Sequence, residues 1–304
     1  MHTSVLLHET IDGLGLKDNG IFVDGTLGAG GHSEEICYRA IKRDISNMTI
    51  IGIDADQEAL ERSKERLNDH EAVTTKKVTF HYAESNTVRV GEILDDLKIE
   101  KIDGFTMDLG VSSFQIGRSG RGFSFRYSEP LSMTFSNEPK ENELVAFDIV
   151  NYFSEENLAD VIYGFGGERR ARVIAKAIVE ARQKKEIKTT EDLVKVIESV
   201  VSRGRSKIHP ATQTFQALRI AVNKEIENLP IILETVWERL NKDGQISIIS
   251  FHSLEDKIVK NFFKEKAKEQ GGGLITKKPT IASDEEVSKN ARSRSAKLRI
   301  IQKL

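Results

Sequence analysis

Ile21-Phe22-Val23-Asp24-Gly25-Thr26-Leu27-Gly28-Ala29-Gly30-Gly31 is the stretch on which the fold turns. A short apolar run ends in a carboxylate and passes directly into a glycine-rich loop. Ser33 can cap the segment beyond, where Ile36, Ala40 and Ile41 recur at helical spacing. Glycines let the backbone approach a ligand closely, and the helix start offers free N–H groups at a positive dipole end. The pattern does not complete GxGxxG, because Ser33 holds the third position, and no Lys-Ser/Thr pair follows to make a Walker A loop. A tight turn with no ligand is the plainer alternative.

The rhythm continues outward. Thr49-Ile50-Ile51-Gly52-Ile53-Asp54 reads as a second strand, Val78-Thr79-Phe80-His81 as a third and Ile102-Asp103-Gly104-Phe105-Thr106-Met107-Asp108 as a fourth. Helices are expected over 57–67 and 88–97. Continuous apolar strands alternating with helices imply an α/β fold with a parallel sheet covered on both faces. The alternation stops after Asp108. Residues 114–137 are rich in Ser, Gly, Arg and aromatics, and 141–205 read as helices, with Leu193, Val194, Ile197, Val200 and Val201 as one apolar stripe. Strand character returns at Ile246-Ser247-Ile248-Ile249-Ser250-Phe251, after a helix around 229–240 and a Lys242-Asp243-Gly244 turn, and again at Leu298-Arg299-Ile300-Ile301. Gly271-Gly272-Gly273 reads as a loop hinge. The expected organisation is one α/β domain, residues 1–114 and 211–304, interrupted by a helical insertion over 115–210.

Composition narrows the class. The 304 residues carry 45 Lys and Arg against 47 Asp and Glu, a net charge of −2 that gives no hint of a nucleic-acid partner. One cysteine, Cys37, forms no intrachain disulfide, and no Cys/His cluster suits zinc. His2 and His8 lack a third ligand, so no metal is expected. No apolar run approaches the roughly 20 residues that span a bilayer, and the N-terminus lacks a secretory signal. A cytoplasmic enzyme without a membrane partner is the expectation.

Three carboxylates end strands: Asp24, Asp54 and Asp108. In open α/β sheets ligands bind beyond the carboxyl ends of the strands, so the three should converge on one crevice. Asp54 is placed to accept both hydroxyls of a ribose, which NAD and S-adenosylmethionine share. Asp24 directly before the loop repels a pyrophosphate and suits the cationic amino-acid end of S-adenosylmethionine. Alternatively, it fastens the turn through its neighbours' N–H groups.

Along nearly its whole length the chain resembles the small-subunit (16S-type) ribosomal RNA cytosine-N4 methyltransferases, the MraW or RsmH type. The likeness lies in Val5-Leu6-Leu7-His8-Glu9, Asp24-Gly25-Thr26 with Gly28 and Gly30-Gly31-His32-Ser33, and Gly52-Ile53-Asp54. It continues in Asp108-Leu109-Gly110-Val111-Ser112-Ser113 with Gln115, Arg121-Gly122-Phe123-Ser124-Phe125, and Gly164-Phe165-Gly166 with Glu168-Arg169. His209-Pro210-Ala211-Thr212-Gln213-Thr214-Phe215-Gln216-Ala217-Leu218-Arg219-Ile220, Ser250-Phe251-His252-Ser253-Leu254-Glu255-Asp256 and Arg294-Ser295-Ala296-Lys297-Leu298-Arg299 complete it.

The resemblance implies a Rossmann-like class I S-adenosylmethionine-dependent methyltransferase core with an inserted all-helical domain. It implies donor contacts from Gly30, Gly31, His32, Asp54, Asp108 and Gln115. Ser85 stands where the family usually carries a Phe against the adenine. It further implies methylation of the exocyclic N4 of a cytosine in the decoding centre, with small-subunit rRNA, assembled or assembling, as partner. Asp108 is the first candidate for the catalytic acceptor of the N4 proton. Where the family's loop commonly reads Asp-Gly-Pro-Leu-Asp-Met-Arg-Met-Asp, this chain has Ser128-Glu129-Pro130-Leu131-Ser132-Met133-Thr134-Phe135-Ser136.

The RNA side has its own signals. Arg118, Arg121 and Arg126 stand among Gly120, Gly122, Phe123, Phe125 and Tyr127, a mixture suited to phosphate contact and base stacking, or to packing within the insertion. Residues 164–210 carry 12 Lys/Arg against 6 Asp/Glu, and 289–304 carry 6 against none. His252 follows the late strand, where it can orient a substrate or serve as a buried hydrogen-bonded histidine. His209 and Asn223 occupy motif positions without evident chemistry. The rivals are an NAD-dependent oxidoreductase and a non-catalytic RNA-binding or assembly protein.

Overall fold

The computed structural model describes residues 4–117, 119–139, 142–202, 209–269 and 271–304. The chain opens with α1 (Leu7–Asp12), β1 (Ile21–Asp24), α2 (Gly31–Lys42), β2 (Met48–Asp54), α3 (Gln57–Asn68), α4 (Glu71–Thr74), β3 (Val78–Glu84), α5 (Val90–Asp96) and β4 (Ile102–Asp108). Then come α6 (Ser113–Ile116), α7 (Ala146–Tyr152), α8 (Glu155–Gly166), α9 (Ala171–Arg182), α10 (Thr190–Val200) and α11 (Thr212–Asn223). It closes with α12 (Glu225–Arg239), β5 (Leu240–Ser250), α13 (Ser253–Lys268), β6 (Gly272–Leu274), α14 (Asp284–Lys289) and β7 (Lys297–Lys303). Two compact units result, Met1–Gly110 with Ile226–Leu304, and Val111–Glu225.

The first unit is built on one seven-stranded sheet in the order β3-β2-β1-β4-β5-β7-β6. Strands β1 to β5 are parallel to one another, and β7 runs antiparallel to both β5 and β6. Alternate residues face opposite sides. Phe22, Met48 and Ile50 pack with Ile36 and Ala40 of α2, while Val23, Ile51, Ile53 and Phe105 pack with Leu94 of α5 and Leu233 and Val236 of α12. Burying each such side chain is worth about 1.5–3 kcal/mol, and both faces are dry, which is why the strands read as continuous apolar runs. Asp24 lies opposite Gly52 on β2 and Thr106 on β4, so Asp54 and Asp108 each stand two residues beyond the end of β1.

Two local expectations change. The Lys242-Asp243-Gly244 turn lies inside β5 as a bulge. The register with β4 shifts between Ile102 opposite Leu240 and Gly104 opposite Gln245, and Asp243 takes a left-handed φ of 66°. Gly271-Gly272-Gly273 is no hinge, because Gly272–Leu274 forms β6 and pairs with Lys303, Gln302 and Ile301. A Cβ at Gly272 would lie 2.9 Å from Ile301 Cδ1, so glycine lets the strand close. Strands of bare backbone carry no hydropathy signal.

The second unit is helical, and apart from the isolated bridge Pro130–Thr189 its described residues include no strand pairing. Its core joins Leu158 and Ile162 of α8, Ile174 and Ile178 of α9, Leu193 and Ile197 of α10, and Phe215 and Leu218 of α11. Helix α11 therefore belongs with the insertion, whose far boundary falls at Glu225 rather than 210 and whose near one falls at Val111 rather than 115. Of the expected stripe, Val200 is 38% exposed, outside the packed face.

Candidate active site

The loop after β1 is stitched to both flanking strands. Gly25 N–H donates to the Thr106 carbonyl (2.8 Å), Leu27 N–H to the Ile53 carbonyl (2.9 Å) and Gly30 N–H to the Leu27 carbonyl (2.7 Å). Gly28 N–H donates to Asp54 Oδ2 (2.7 Å). Gly30 caps α2 at φ 77°, and an added Cβ would lie 3.1 Å from Leu67 Cδ1. Glycine alone meets both the torsion and the space. The N–H groups of Gly31 and His32, in the first turn of α2, have no intrahelical acceptor.

The three strand-end carboxylates separate into different environments. Asp24 is buried, accepting from Thr26 N–H (3.2 Å) and Ser33 O–H (2.8 Å). These bonds fasten the turn, as the second of its two readings expects. Burial raises its pKa, against the opposing pull of His32, Ser33 and Thr26. Asp54 is partly exposed, with Oδ1 accepting from Asp56 N–H (2.9 Å) and Oδ2 from Gly28 N–H. Each oxygen keeps acceptor capacity, as two ribose hydroxyls require. Burial pushes Asp54 up to about 6, opposed by those two N–H bonds and aided by Asp56 and Asp24.

Asp108 differs again. Its N–H donates to Thr26 Oγ1 (2.6 Å), but Oδ1 is buried without a partner. Burial pushes this carboxyl up to about 6; His32 and Arg292 lower it, Asp24 and Glu255 raise it. A buried acceptor left unsatisfied costs about 1–3 kcal/mol, more when charged. Such an oxygen at a strand end suits a donor from a bound ligand, so the residues present fit S-adenosylmethionine.

His32 is buried, and its Nε2 lies 3.1 Å from the Val5 carbonyl, so the ring ties the N-terminal segment to α2 and the backbone N–H is what the loop presents. Gly31 sits against Ser4, whose Oγ an added Cβ would strike. Ser85 N–H donates to the Asp54 carbonyl (2.9 Å), placing Ser85 at the same rim. Gly30, Gly31, His32, Asp54, Ser85 and Asp108 thus share the carboxyl end of the sheet. Gln115 belongs to the helical unit, where its Oε1 accepts from Ser112 N–H (2.9 Å). Sequence reasoning missed Thr26, whose hydroxyl holds the backbone of Asp108; its place in Asp24-Gly25-Thr26 was the available signal.

Several residues read toward RNA have structural work instead. Arg118, like His2, lies outside the described residues. Arg121 is buried and donates to the Phe135 carbonyl (2.7 Å) and Asn137 Oδ1 (3.0 Å). Phe123 stacks on Phe135, and Phe125 stacks on His209 and meets Phe215 edge-on. Of the loop's described cationic and aromatic residues, Arg126 and Tyr127 are exposed. Leu131 and Met133 of the divergent loop are core residues, and Asn223 clamps it, accepting from Phe135 N–H (2.9 Å) and donating to the Met133 carbonyl (2.8 Å). In the tail, Arg299 and Lys297 pair with Asp256, and Lys303 donates to the Trp237 and Leu240 carbonyls. His252 caps α13 in a capping box with Glu255, the structural alternative of its two readings.

Residues 1–304 match the family model described as the MraW methylase family. Ribosomal RNA small subunit methyltransferase H of Clostridium botulinum (strain Kyoto / Type A2) is 44% identical, with 100% of this chain and 99% of that protein covered. The protein of the same name from Clostridium botulinum (strain 657 / Type Ba4) matches equally, at 44% with the same coverage. A solved putative methyltransferase from Streptococcus mutans in complex with SAH aligns at a TM-score of 0.43 and 13% identity, covering 100% of both chains. That likeness is distant, and the fold rests on the strand order itself.

Proposed function

Since the chain belongs to the MraW methylase family, we propose that it transfers a methyl group from S-adenosylmethionine to the exocyclic N4 of a cytosine in small-subunit ribosomal RNA. The geometric observation that carries this is the buried, unpartnered Oδ1 of Asp108 beside the glycine loop. The cofactor supplies an electrophilic methyl group on a sulfonium. The chain's part is to hold and orient. The N–H groups of Gly30, Gly31 and His32 line the loop, Asp54 accepts ribose hydroxyls, and Ser85 adjoins it where the family's adenine contact lies. Gln115 is assigned to the donor by the resemblance.

Cytosine N4 has its lone pair delocalised into the ring, so it must be aimed at the methyl before it can react. As N4 gains its new bond it sheds one proton, and Asp108 takes that proton at its carboxylate. A carboxyl pushed up to about 6 is mostly ionised at neutral pH yet basic enough for this task. The target base must leave its stack to reach a strand-end crevice. We assign the assembled or assembling small subunit as substrate and the cytoplasm as its place; no helix of the described residues is long and apolar enough to cross a membrane.

The test is transfer of labelled methyl from S-adenosylmethionine to purified small subunits and to naked rRNA, followed by nucleoside analysis. Label in N4-methylated cytidine is expected. Label on protein, or in another nucleoside, overturns the acceptor.

A further inference from the structure

The basic excess of the chain is unevenly available. Arg121, Arg182, Arg299 and Lys303 are spent on backbone carbonyls or on Asp256. Lys176, Lys188, Lys195 and Lys289 each have an acidic partner within 4.0 Å. At the corner between α8 and α9 the pattern reverses. Arg169, Arg170 and Arg172 are exposed and form no ion pair among the described residues. Glu168, the acid beside them, is buried and accepts from Arg170 N–H at 2.8 Å, so its carboxylate serves the turn.

These cations stand where the fold gains nothing from them. Arg170 is the N-cap of α9, and the first turn of α9, like that of α11, contains no acid, whereas α7, α8 and α10 of the same unit each carry Asp or Glu in the first turn. Three positive charges at the positive end of a helix dipole are mildly destabilising. Tyr163, in the last turn of α8 just before the left-handed Gly167, is 64% exposed, and Val173 beside Arg172 is 50% exposed. Uncompensated guanidinium groups with an exposed aromatic ring form the combination that takes backbone phosphates and stacks an unpaired base.

We infer that the α8–α9 corner, Tyr163 with Arg169, Arg170 and Arg172, is the surface by which the helical unit grips the phosphate backbone of the RNA substrate. The inference rests on the rRNA methyltransferase reading and relocates the RNA contact from the aromatic loop and the tail to this corner.

The test compares the full-length protein with R169S/R170S/R172S and with a control that removes as many exposed but paired cations, R89S/K195S/K289S. Filter binding to purified small subunits and transcribed small-subunit rRNA is measured across a salt series, with melting temperature, donor calorimetry and labelled methyl transfer alongside. The corner variant is expected to bind RNA at least about tenfold more weakly, with a salt dependence shallower by about 2–3 in log–log slope. Its KM for RNA rises while donor affinity and melting temperature hold. Unchanged RNA affinity and slope, or an equal loss in the control, overturns the inference. So does binding of wild-type protein to phosphatidylglycerol vesicles that the corner variant loses while keeping its RNA affinity. If wild-type protein transfers no methyl but the corner variant still loses RNA, the enzymatic reading fails and the surface stands. If transfer and RNA affinity persist in the corner variant, only the surface fails.

Discussion

Thr26 holds Asp108 by its backbone, not by its carboxylate: the Asp108 N–H donates to Thr26 Oγ1 at 2.6 Å, while Asp108 Oδ1 is buried and unpartnered. The strand end is anchored while that carboxylate oxygen stays unpaired. Thr26→Val removes that anchor and strands an N–H group, so a stability loss of about 1–2 kcal/mol is expected in urea unfolding. Methyl transfer should fall with it, and Thr26→Ser should restore both. A valine variant as stable and active as wild type would show that the bond does not position Asp108.

Asp54 links the first loop to β2 through Gly28 N–H and is the assigned ribose acceptor. Asp54→Ala is expected to weaken S-adenosylmethionine binding by about 10–100-fold, the loss of hydrogen bonds to a charged group. Calorimetry checks this, and an unchanged affinity removes Asp54 from the site.

Asp108, as proton acceptor with a pKa of about 6, should give a transfer rate that rises with pH through that value and levels above it. Asp108→Asn should lower kcat by about 100-fold or more. Single-turnover rates at saturating donor and RNA separate this from binding. A pH profile flat between 5 and 7 would reduce Asp108 to a donor contact.

The same carboxyls shape stability in the opposite direction. Asp54 and Asp108 are both raised from 3.8 to about 6 on folding, so between those values the folded state binds more protons than the unfolded one. Stability of the ligand-free protein should therefore fall as pH rises from about 4 to 6 through these two groups, and flatten above. Asp108→Asn should raise the melting temperature at pH 7 by about 2–4 °C while slowing transfer. A lower melting temperature would mean that the Asp108 charge is satisfied in the protein.

Asn223 closes the divergent loop onto α11. Asn223→Ala leaves Phe135 N–H and the Met133 carbonyl without that partner, at an expected cost of about 2–3 kcal/mol. Because Asn223 belongs to the helical unit, donor affinity should hold while chemical unfolding shifts. Unchanged unfolding would show that the loop has other support.

The strand–loop–helix opening and the interruption after Asp108 were legible because apolar periodicity is local. Val23 and Phe22 alternate faces within one strand, and Leu193 and Ile197 share a helix face. β6 was not legible: Gly272 and Gly273 contribute backbone alone to the sheet, and their strand character comes from β7. Nor was the far end of the insertion, since α11 reads as an amphipathic helix whichever unit it joins.

From the sequence alone followed the parallel α/β core, the inserted helices, the glycine loop and the carboxylates at the ends of the strands. Each depends on residues close along the chain. Only the tertiary structure decided what those charges face. Asp24 accepts from Thr26 and Ser33 while Asp108 Oδ1 has no partner, and Arg299 meets Asp256 while Arg169, Arg170 and Arg172 meet no acid among the described residues. A charge is the same in sequence whether it is paired or free. Its chemistry depends on burial and on partners that the fold brings from elsewhere, such as Asp256 for Arg299, which lies 43 residues away.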